Sequence, residues 1–102
     1  MTFIIYVLLL DDFTRYVGLT TNLPKRLHAH ESGRGSIHTK DRRIILVEEY
    51  FSFVVDNTWQ ALLREHEFAQ RKRVEFGRWM VRGGELNSRK VVEYQRKALI
   101  GF

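Results

Sequence analysis

The chain of 102 residues contains no cysteine and no apolar run long enough to cross a bilayer. Without cysteine, the protein has no disulfide, no thiolate zinc site and no nucleophilic thiol. The longest apolar segment, Phe3 to Leu10, is far short of the roughly 20 residues that a membrane-spanning helix needs. It also lacks the basic flank and the small-residue cleavage site of a signal peptide. We therefore expect a cytoplasmic protein without a membrane partner.

The length predicts a single domain over residues 1–102, because chains of this size rarely form two cores. The net charge of +5 falls entirely in the second part of the chain: residues 1–63 carry seven basic and seven acidic side chains, whereas residues 64–102 carry ten and five. A basic half of this kind can bind a polyanion through phosphate contacts. A solvated helix surface would have the same charge, so the charge alone indicates a partner without identifying it.

The hydrophobic pattern predicts an α+β fold of the order β-β-α-β-α-α, with a small, largely antiparallel three-stranded sheet flanked by helices. The predicted strands are Phe3–Leu10, central in the sheet, Arg15–Leu19 and Ile44–Phe53. The predicted helices run from the N-cap Asn22 to the stop at Gly33, from Trp59 to Phe76, and from Arg89 to Ala98. The glycine pair after Arg82 predicts a break before a basic C-terminal helical extension over residues 85–102.

Tyr6 and Tyr16 are two candidate functional residues of the first hairpin. A tyrosine within an apolar run is usually a core side chain with a satisfied hydroxyl group, and this interpretation stays open for both. The two rings lie on the same face only if the hairpin connection has an odd number of residues. Gly18 lies within the second strand, where a glycine indicates close approach of another backbone or of a ligand.

Arg26 and His30 are four residues apart on the first helix and therefore share one face. An arginine above the sheet can bind a phosphate bidentately or stabilise charge that develops on it, although a surface arginine is the alternative. His30 can orient a phosphate or a water molecule, or simply face solvent. His28 and His38 are weaker candidates, and Lys25 is compatible with an ordinary surface lysine.

Glu65 lies within the apolar stripe of the second helix, three residues after Leu62 and four before Ala69. Glu67, by contrast, falls on the polar side. A carboxylate on a buried face must be paired, hydrogen-bonded or bound to a metal. An ion pair with an arginine is one interpretation; the other is a hard-metal ligand, and oxygen ligands of this kind suit magnesium.

These residues together are compatible with phosphodiester hydrolysis. A metal would polarise a phosphoryl oxygen, an arginine would stabilise the transition state, and a tyrosine hydroxyl or a bound water would accept the proton of the attacking oxygen. No Ser/His/Asp triad, Walker-type loop or zinc motif is present in the sequence.

The sequence resembles the GIY-YIG nuclease family from Phe3 to about Phe76, and most of all its small stand-alone members. Ile4-Ile5-Tyr6 matches the first family motif, with Ile4 in place of glycine, and Tyr16-Val17-Gly18 matches the second. The family's catalytic arginine, histidine and metal-binding glutamate fall on Arg26, His30 and Glu65. Leu19 stands where the excision-repair type has a lysine, so a mechanism that uses that lysine does not carry over. Asn87 is the only candidate for the asparagine that often ends the family's site.

The resemblance implies a metal-dependent DNA endonuclease with weak sequence specificity, one Mg²⁺ or Mn²⁺ ion at Glu65, and DNA as the partner of a monomer or weak homodimer. The expected catalytic residues are Tyr6, Tyr16, Arg26, His30 and Glu65, and we expect further substrate contacts from Gly18, Lys25, Arg34, His38 and Lys40. Two alternatives remain: a non-catalytic nucleic-acid-binding module with the same fold, and a basic protein–protein adaptor.

Overall fold

The computed structural model describes residues 1–35 and 39–84. All predicted elements up to Phe76 lie within these ranges. His38, Asn87, the predicted helix from Arg89 to Ala98 and the remainder of the extension over residues 85–102 lie outside the described residues.

A mixed sheet organises the described part of the chain. Its strands are β1 (Thr2–Leu10), β2 (Arg15–Thr20), β3 (Ile44–Val54) and β4 (Val81–Gly83), in the spatial order β3-β1-β2-β4. β1 takes the central place predicted for it, because its uninterrupted apolar side chains are buried on both faces of the sheet. With the helices α1 (Leu23–Glu31) and α2 (Thr58–Phe76), the predicted α+β fold is confirmed.

The predicted number of strands was wrong by one, because β4 forms where the glycine pair predicts a break. β4 pairs with β2 in the parallel direction, with Val81 opposite Arg15 and Gly83 opposite Val17. A Cβ atom at Gly83 would overlap the Val17 carbonyl oxygen, and Gly83 has a φ of 76°. The glycine therefore permits close approach of an edge strand, which sequence patterns do not distinguish from a chain break.

The hairpin connection between β1 and β2 places Tyr6 and Tyr16 on the same face of the sheet. Tyr6 is opposite Gly18 and Leu8 is opposite Tyr16. Because Tyr6 and Leu8 are two residues apart on β1, the side chains of Tyr6 and Tyr16 lie on the same side of the sheet. The Leu10 N–H donates to the Thr14 carbonyl at 2.9 Å, which leaves an odd connection of three residues between them. Its last residue, Phe13, adopts a left-handed φ of 64°, a conformation typical of three-residue hairpin loops.

The helices lie on opposite faces of the sheet. On one face, here called the α1 face, Leu23 and Leu27 of α1 pack against a core cluster that contains Tyr6 and Tyr16. On the other, the α2 face, Phe68 and Ala69 of α2 pack against Ile5, Val7 and Val17.

Both helices begin at asparagine side chains. The Asn22 side-chain oxygen accepts from the Lys25 N–H at 3.2 Å, so the predicted cap is confirmed, and that of Asn57 accepts from the Gln60 N–H at 3.0 Å. Neither α1 nor α2, nor any other helix within the described ranges, has the length and apolar character to cross a membrane.

Candidate active site

Tyr6 and Tyr16 form the centre of a buried cluster on the α1 face. Their ring centroids are 6.3 Å apart, and both side chains are buried. Gly18 lies directly under Tyr6, where an added Cβ atom would overlap the ring and hydroxyl group. The close approach at Gly18 is therefore made by the Tyr6 side chain, which corrects the expectation of another backbone or a ligand.

His30 of α1 joins the two tyrosines. Its ring meets both of theirs edge-on, with centroid distances of 5.8 Å to Tyr6 and 5.2 Å to Tyr16. His30 Nε2 lies 2.7 Å from the Tyr6 hydroxyl oxygen, and Nδ1 lies 2.8 Å from Oγ1 of the buried Thr39. Because His30 is only 3% exposed and both its ring nitrogens have partners, it does not face solvent.

The Tyr6 and His30 side chains are uncharged at neutral pH. Burial, supported by the nearby positive charge of Arg26, lowers the pKa of His30 from 6.5 to about 4. Burial also raises the pKa of the Tyr6 hydroxyl well above its ordinary value, and the opposing hydrogen bond and charge of Arg26 do not offset this effect. The Tyr6 hydroxyl therefore holds its proton next to a neutral imidazole.

Arg26 extends from α1 toward the tyrosine hydroxyl groups, and its interaction with Tyr6 is the largest influence that keeps its guanidinium charged. Its Nη2 atom donates to the Gly35 carbonyl oxygen at 3.3 Å. The Nε–H group is buried and has no hydrogen-bond partner among the described residues. A buried guanidinium N–H without an acceptor is costly, and an oxyanion ligand would satisfy it.

Glu65 is half-buried on α2, between the buried Ala61 and Ala69, as the helical pattern predicts, and Glu67 is exposed. Burial raises the pKa of the Glu65 carboxyl group to about 7, and the charge of Arg26 opposes that shift. Within the described part of the chain, the Glu65 side chain makes no hydrogen bond and no ion pair. The ion pair with an arginine, one of the two interpretations from the sequence, is therefore not formed among the described residues.

The surroundings of Glu65 fit a divalent cation of the magnesium type. A desolvated carboxylate without an ion-pair partner is stabilised by a cation, and Mg²⁺ binds through one or two carboxylates while it keeps several water ligands. Over residues 1–35 and 39–84, no three His, Asp or Glu side chains come together as a metal cluster. A cation at Glu65 would therefore take most of its ligands from water or from a bound phosphate.

Comparison with known proteins identifies relatives over most of the chain. A UPF0213 protein of Pediococcus pentosaceus is 41% identical over 71 residues, which cover 70% of this chain and 73% of the relative. A UPF0213 protein of Pediococcus acidilactici is 34% identical over 84 residues, covering 80% and 84%. The chain belongs to the UPF0213 family. A third member, from Natronomonas pharaonis, is 34% identical over 71 residues, covering 70% of this chain and 81% of its own.

The names of these UPF0213 relatives specify no activity. No family model matches the chain, and no solved structure matches it either. The geometry of the cluster itself indicates the chemistry of this UPF0213 protein.

The five residues predicted to be catalytic converge in this UPF0213 protein from four separate elements. Tyr6 of β1 and Tyr16 of β2 contact His30 of α1, and Arg26 of α1 interacts with both tyrosine hydroxyl groups. Glu65 of α2 lies near enough for Arg26 to influence its pKa.

The predicted substrate-binding residues are more dispersed. Lys25, Arg34 and Lys40 are exposed and make no hydrogen bond or ion pair with the five clustered residues. Gly18 packs under Tyr6, as described above, and His38 lies outside the described residues. Substrate contact by the three basic side chains stays a prediction.

Sequence reasoning missed two residues that position His30. Thr39 bonds to Nδ1, and Gly35 lies so close to the imidazole ring that a Cβ atom would overlap Nδ1. The second glycine, at 35, was a usable signal, because a helix stop needs only one glycine, and in the structure that one is Gly33, with a positive φ. Thr39 stands among charged loop residues, and no local pattern marks it as buried.

Proposed function

We propose that this protein is a divalent-metal-dependent DNA endonuclease of the GIY-YIG type that hydrolyses phosphodiester bonds with weak sequence specificity. One observation carries the proposal: the half-buried Glu65 carboxylate forms no ion pair with any described residue, although the Arg26 guanidinium influences its pKa. A cation at the carboxylate and a phosphate at the guanidinium would together neutralise these two half-buried groups. The sequence resemblance to GIY-YIG nucleases supports the same assignment.

Arg26 would bind the scissile phosphate. Its buried Nε–H has no acceptor and would donate to a non-bridging phosphate oxygen, with a guanidinium geometry that suits bidentate contact. The same contact would stabilise the charge that develops on the phosphoryl oxygens in the transition state. Phosphate contacts carry no base information, so a site built on them has weak sequence specificity.

Tyr6 and His30 would move the proton of the attacking water. The water oxygen bonds to phosphorus and gives its proton to the Tyr6 oxygen, while Tyr6 passes its own proton to His30 Nε2. The bond from phosphorus to the leaving oxygen breaks, and that oxygen takes a proton from solvent. This route requires Nε2 to be the acceptor, so Nδ1 must carry the hydrogen that Thr39 accepts.

Phosphate binding at Arg26 would also favour this proton transfer. The Arg26 charge is one of the two causes that lower the pKa of His30, so partial neutralisation of that charge by a phosphate makes the imidazole more basic. A Mg²⁺ or Mn²⁺ ion bound at Glu65 would polarise a phosphoryl oxygen and stabilise the leaving group.

Replacement of Glu65 by glutamine tests the proposal. The wild-type protein should cleave labelled single-stranded, duplex or branched DNA only with Mg²⁺ or Mn²⁺, and Glu65→Gln should reduce the rate about 100-fold or more, because the carboxylate charge that holds the ion is lost. Glu67→Gln is the matched control: it is exposed on the same helix and should leave the rate unchanged.

Two results would contradict the proposal. Metal-independent DNA binding without cleavage of any substrate would identify a binding module. A protein that neither cleaves DNA nor binds it in a salt-sensitive way would instead fit a protein–protein adaptor.

A further inference from the structure

Tyr50 places an exposed aromatic ring beside the candidate active site. It lies on β3 directly opposite Tyr6 in the register and therefore on the α1 face. Directly opposed residues of antiparallel strands have Cβ atoms about 4.5–5.5 Å apart. Tyr6 is fully buried, whereas Tyr50 is 66% exposed and makes no contact with another described ring.

The surface around Tyr50 is open and is lined by small side chains. Among the described elements, α1 packs over the half of the face that contains Leu8 and Leu10, and none packs over the opposite end. At that end, Ser52 and Val54 of β3 are exposed. With an exposed fraction of 66%, the Tyr50 side chain is accessible to a ligand.

The charge distribution of the sheet favours an anionic ligand on this face. The only carboxylates on the four described strands are Glu48 and Glu49, which a register shift after Val7 places together. They are neutralised by Arg15, at 2.8 Å from Glu48, and by Lys72 of α2, at 2.9 Å from Glu49. The strands therefore contribute no negative charge to the α1 face.

Arg26 contributes positive charge to the same face. It lies beside the Tyr6 hydroxyl, and among the described residues its buried Nε–H group has no hydrogen-bond partner. Arg82, by contrast, lies on β4 at the opposite edge of the sheet from Tyr50 and pairs with Asp12 at 3.8 Å. An accessible aromatic ring near a guanidinium group is the combination that binds a nucleotide through its base and its phosphate.

We propose that Tyr50 stacks against an unpaired base next to the phosphate that Arg26 holds, so that the preferred substrate is single-stranded DNA or a single-stranded segment of a larger DNA. The phosphate position rests on the function proposed above. Bases within a duplex are stacked on one another and cannot present a face to a side chain, whereas unpaired bases stack readily on exposed aromatic rings.

Binding of fluorescently labelled 12-nucleotide DNA, single-stranded or duplex, tests this inference by anisotropy in the presence of EDTA. Tyr50→Ala should weaken single-strand binding by about 5- to 150-fold, which corresponds to 1–3 kcal/mol of stacking at 1.4 kcal/mol per tenfold. Tyr50→Phe keeps the ring and should bind within about twofold of wild type. Duplex affinity should be the same in all variants.

Phe13→Ala is the matched control, because Phe13 is 67% exposed like Tyr50 but lies in the hairpin loop directly after the carboxylates of Asp11 and Asp12. It should bind single strands as the wild type does. The inference is overturned if Tyr50→Ala binds single strands as tightly as the wild type, or if Tyr50→Ala and Tyr50→Phe lose the same affinity.

A cleavage assay with Mg²⁺ on the same oligonucleotides separates the two proposals. Tyr50-dependent single-strand binding without any cleavage supports the stacking surface and contradicts the nuclease. Equal cleavage of single-stranded and duplex DNA by wild type and Tyr50→Ala supports the nuclease and overturns the stacking surface. A wild-type protein that binds neither DNA contradicts both.

Discussion

His30 connects two buried hydroxyl groups, and only one of them belongs to a residue that the sequence marks as functional. Tyr6 is bound through Nε2 and Thr39 through Nδ1. A neutral imidazole carries one hydrogen, so the group on one nitrogen determines what the other can do. Thr39 is therefore the positioning residue for the proton acceptor of Tyr6.

Removal of the Thr39 hydroxyl group should slow cleavage without weakening DNA binding. Thr39→Val keeps the side-chain shape but loses one hydrogen bond to His30, and a bond of about 0.5–1.5 kcal/mol corresponds to a rate about 2- to 10-fold lower. Thr39→Ser restores the hydroxyl group and should recover the rate. The measurement is kcat and KM across a pH series. A valine variant whose rate and pH profile equal those of the wild type would contradict the role.

The neutral state of His30 also makes stability depend on pH. The unfolded chain binds a proton at His30 as the pH falls below 6.5, whereas the folded chain does so only near its pKa of about 4. The contribution of neutral His30 to the free energy of unfolding is therefore fully present above pH 6.5. It decreases by on the order of 3 kcal/mol as the pH falls from 6.5 to about 4.

Urea denaturation between pH 4.5 and 7.5 measures this contribution. The raised pKa of Glu65 changes stability in the opposite direction over the same range, so the comparison is between variant and wild type at each pH. The stability of His30→Gln relative to the wild type should increase as the pH falls from 7.5 to 4.5, whereas His28→Gln, exposed on the same helix, should follow the wild type. Equal pH dependence in His30→Gln and the wild type would contradict the assignment.

At the scale of the elements, local signals account for what sequence reasoning predicted correctly. β1 is an uninterrupted apolar run, and both helices begin at asparagine caps whose hydrogen bonds reach only three residues along the chain. Such features are present in any short window of sequence. The same holds for Glu65, whose place in the apolar stripe of α2 follows from helical periodicity alone.

The features that sequence reasoning missed depend on contacts between distant segments. β4 exists because Val17 leaves room for a backbone without a side chain, and Thr39 is buried because His30 of α1 binds it. Gly18 was recognised as a point of close approach, but its partner, Tyr6, is twelve residues earlier in the chain. A pattern marks the glycine; only the register of the sheet identifies what lies against it.

At the scale of the whole molecule, the net charge of +5 and the Arg26 guanidinium of the α1 face predict salt-dependent DNA binding. If about two to four phosphates of a 12-nucleotide single strand are neutralised, affinity should fall about 7- to 50-fold between 50 and 200 mM salt. Arg26→Gln should reduce the slope of log affinity against log salt concentration by about 0.7, because one phosphate contact is lost.

Arg71→Gln is the control for this measurement. Arg71 is exposed on α2 and lies over Phe68, on the α2 side of the sheet, so the slope should be unchanged. An affinity that does not vary with salt would show that phosphate contacts do not contribute to binding.

The central place of β1 affects how the protein folds during translation. β1 is synthesised before the other described strands, and β2 covers one of its edges soon afterwards through the short hairpin. The other edge has to wait for β3, whose last pair joins Val54 to Thr2. At about 5–20 residues per second, the 44 residues from Leu10 to Val54 take roughly 2–9 s to translate. During that interval the nascent chain exposes an unpaired apolar strand edge, so we expect its yield in cells to depend on chaperones that shield such edges.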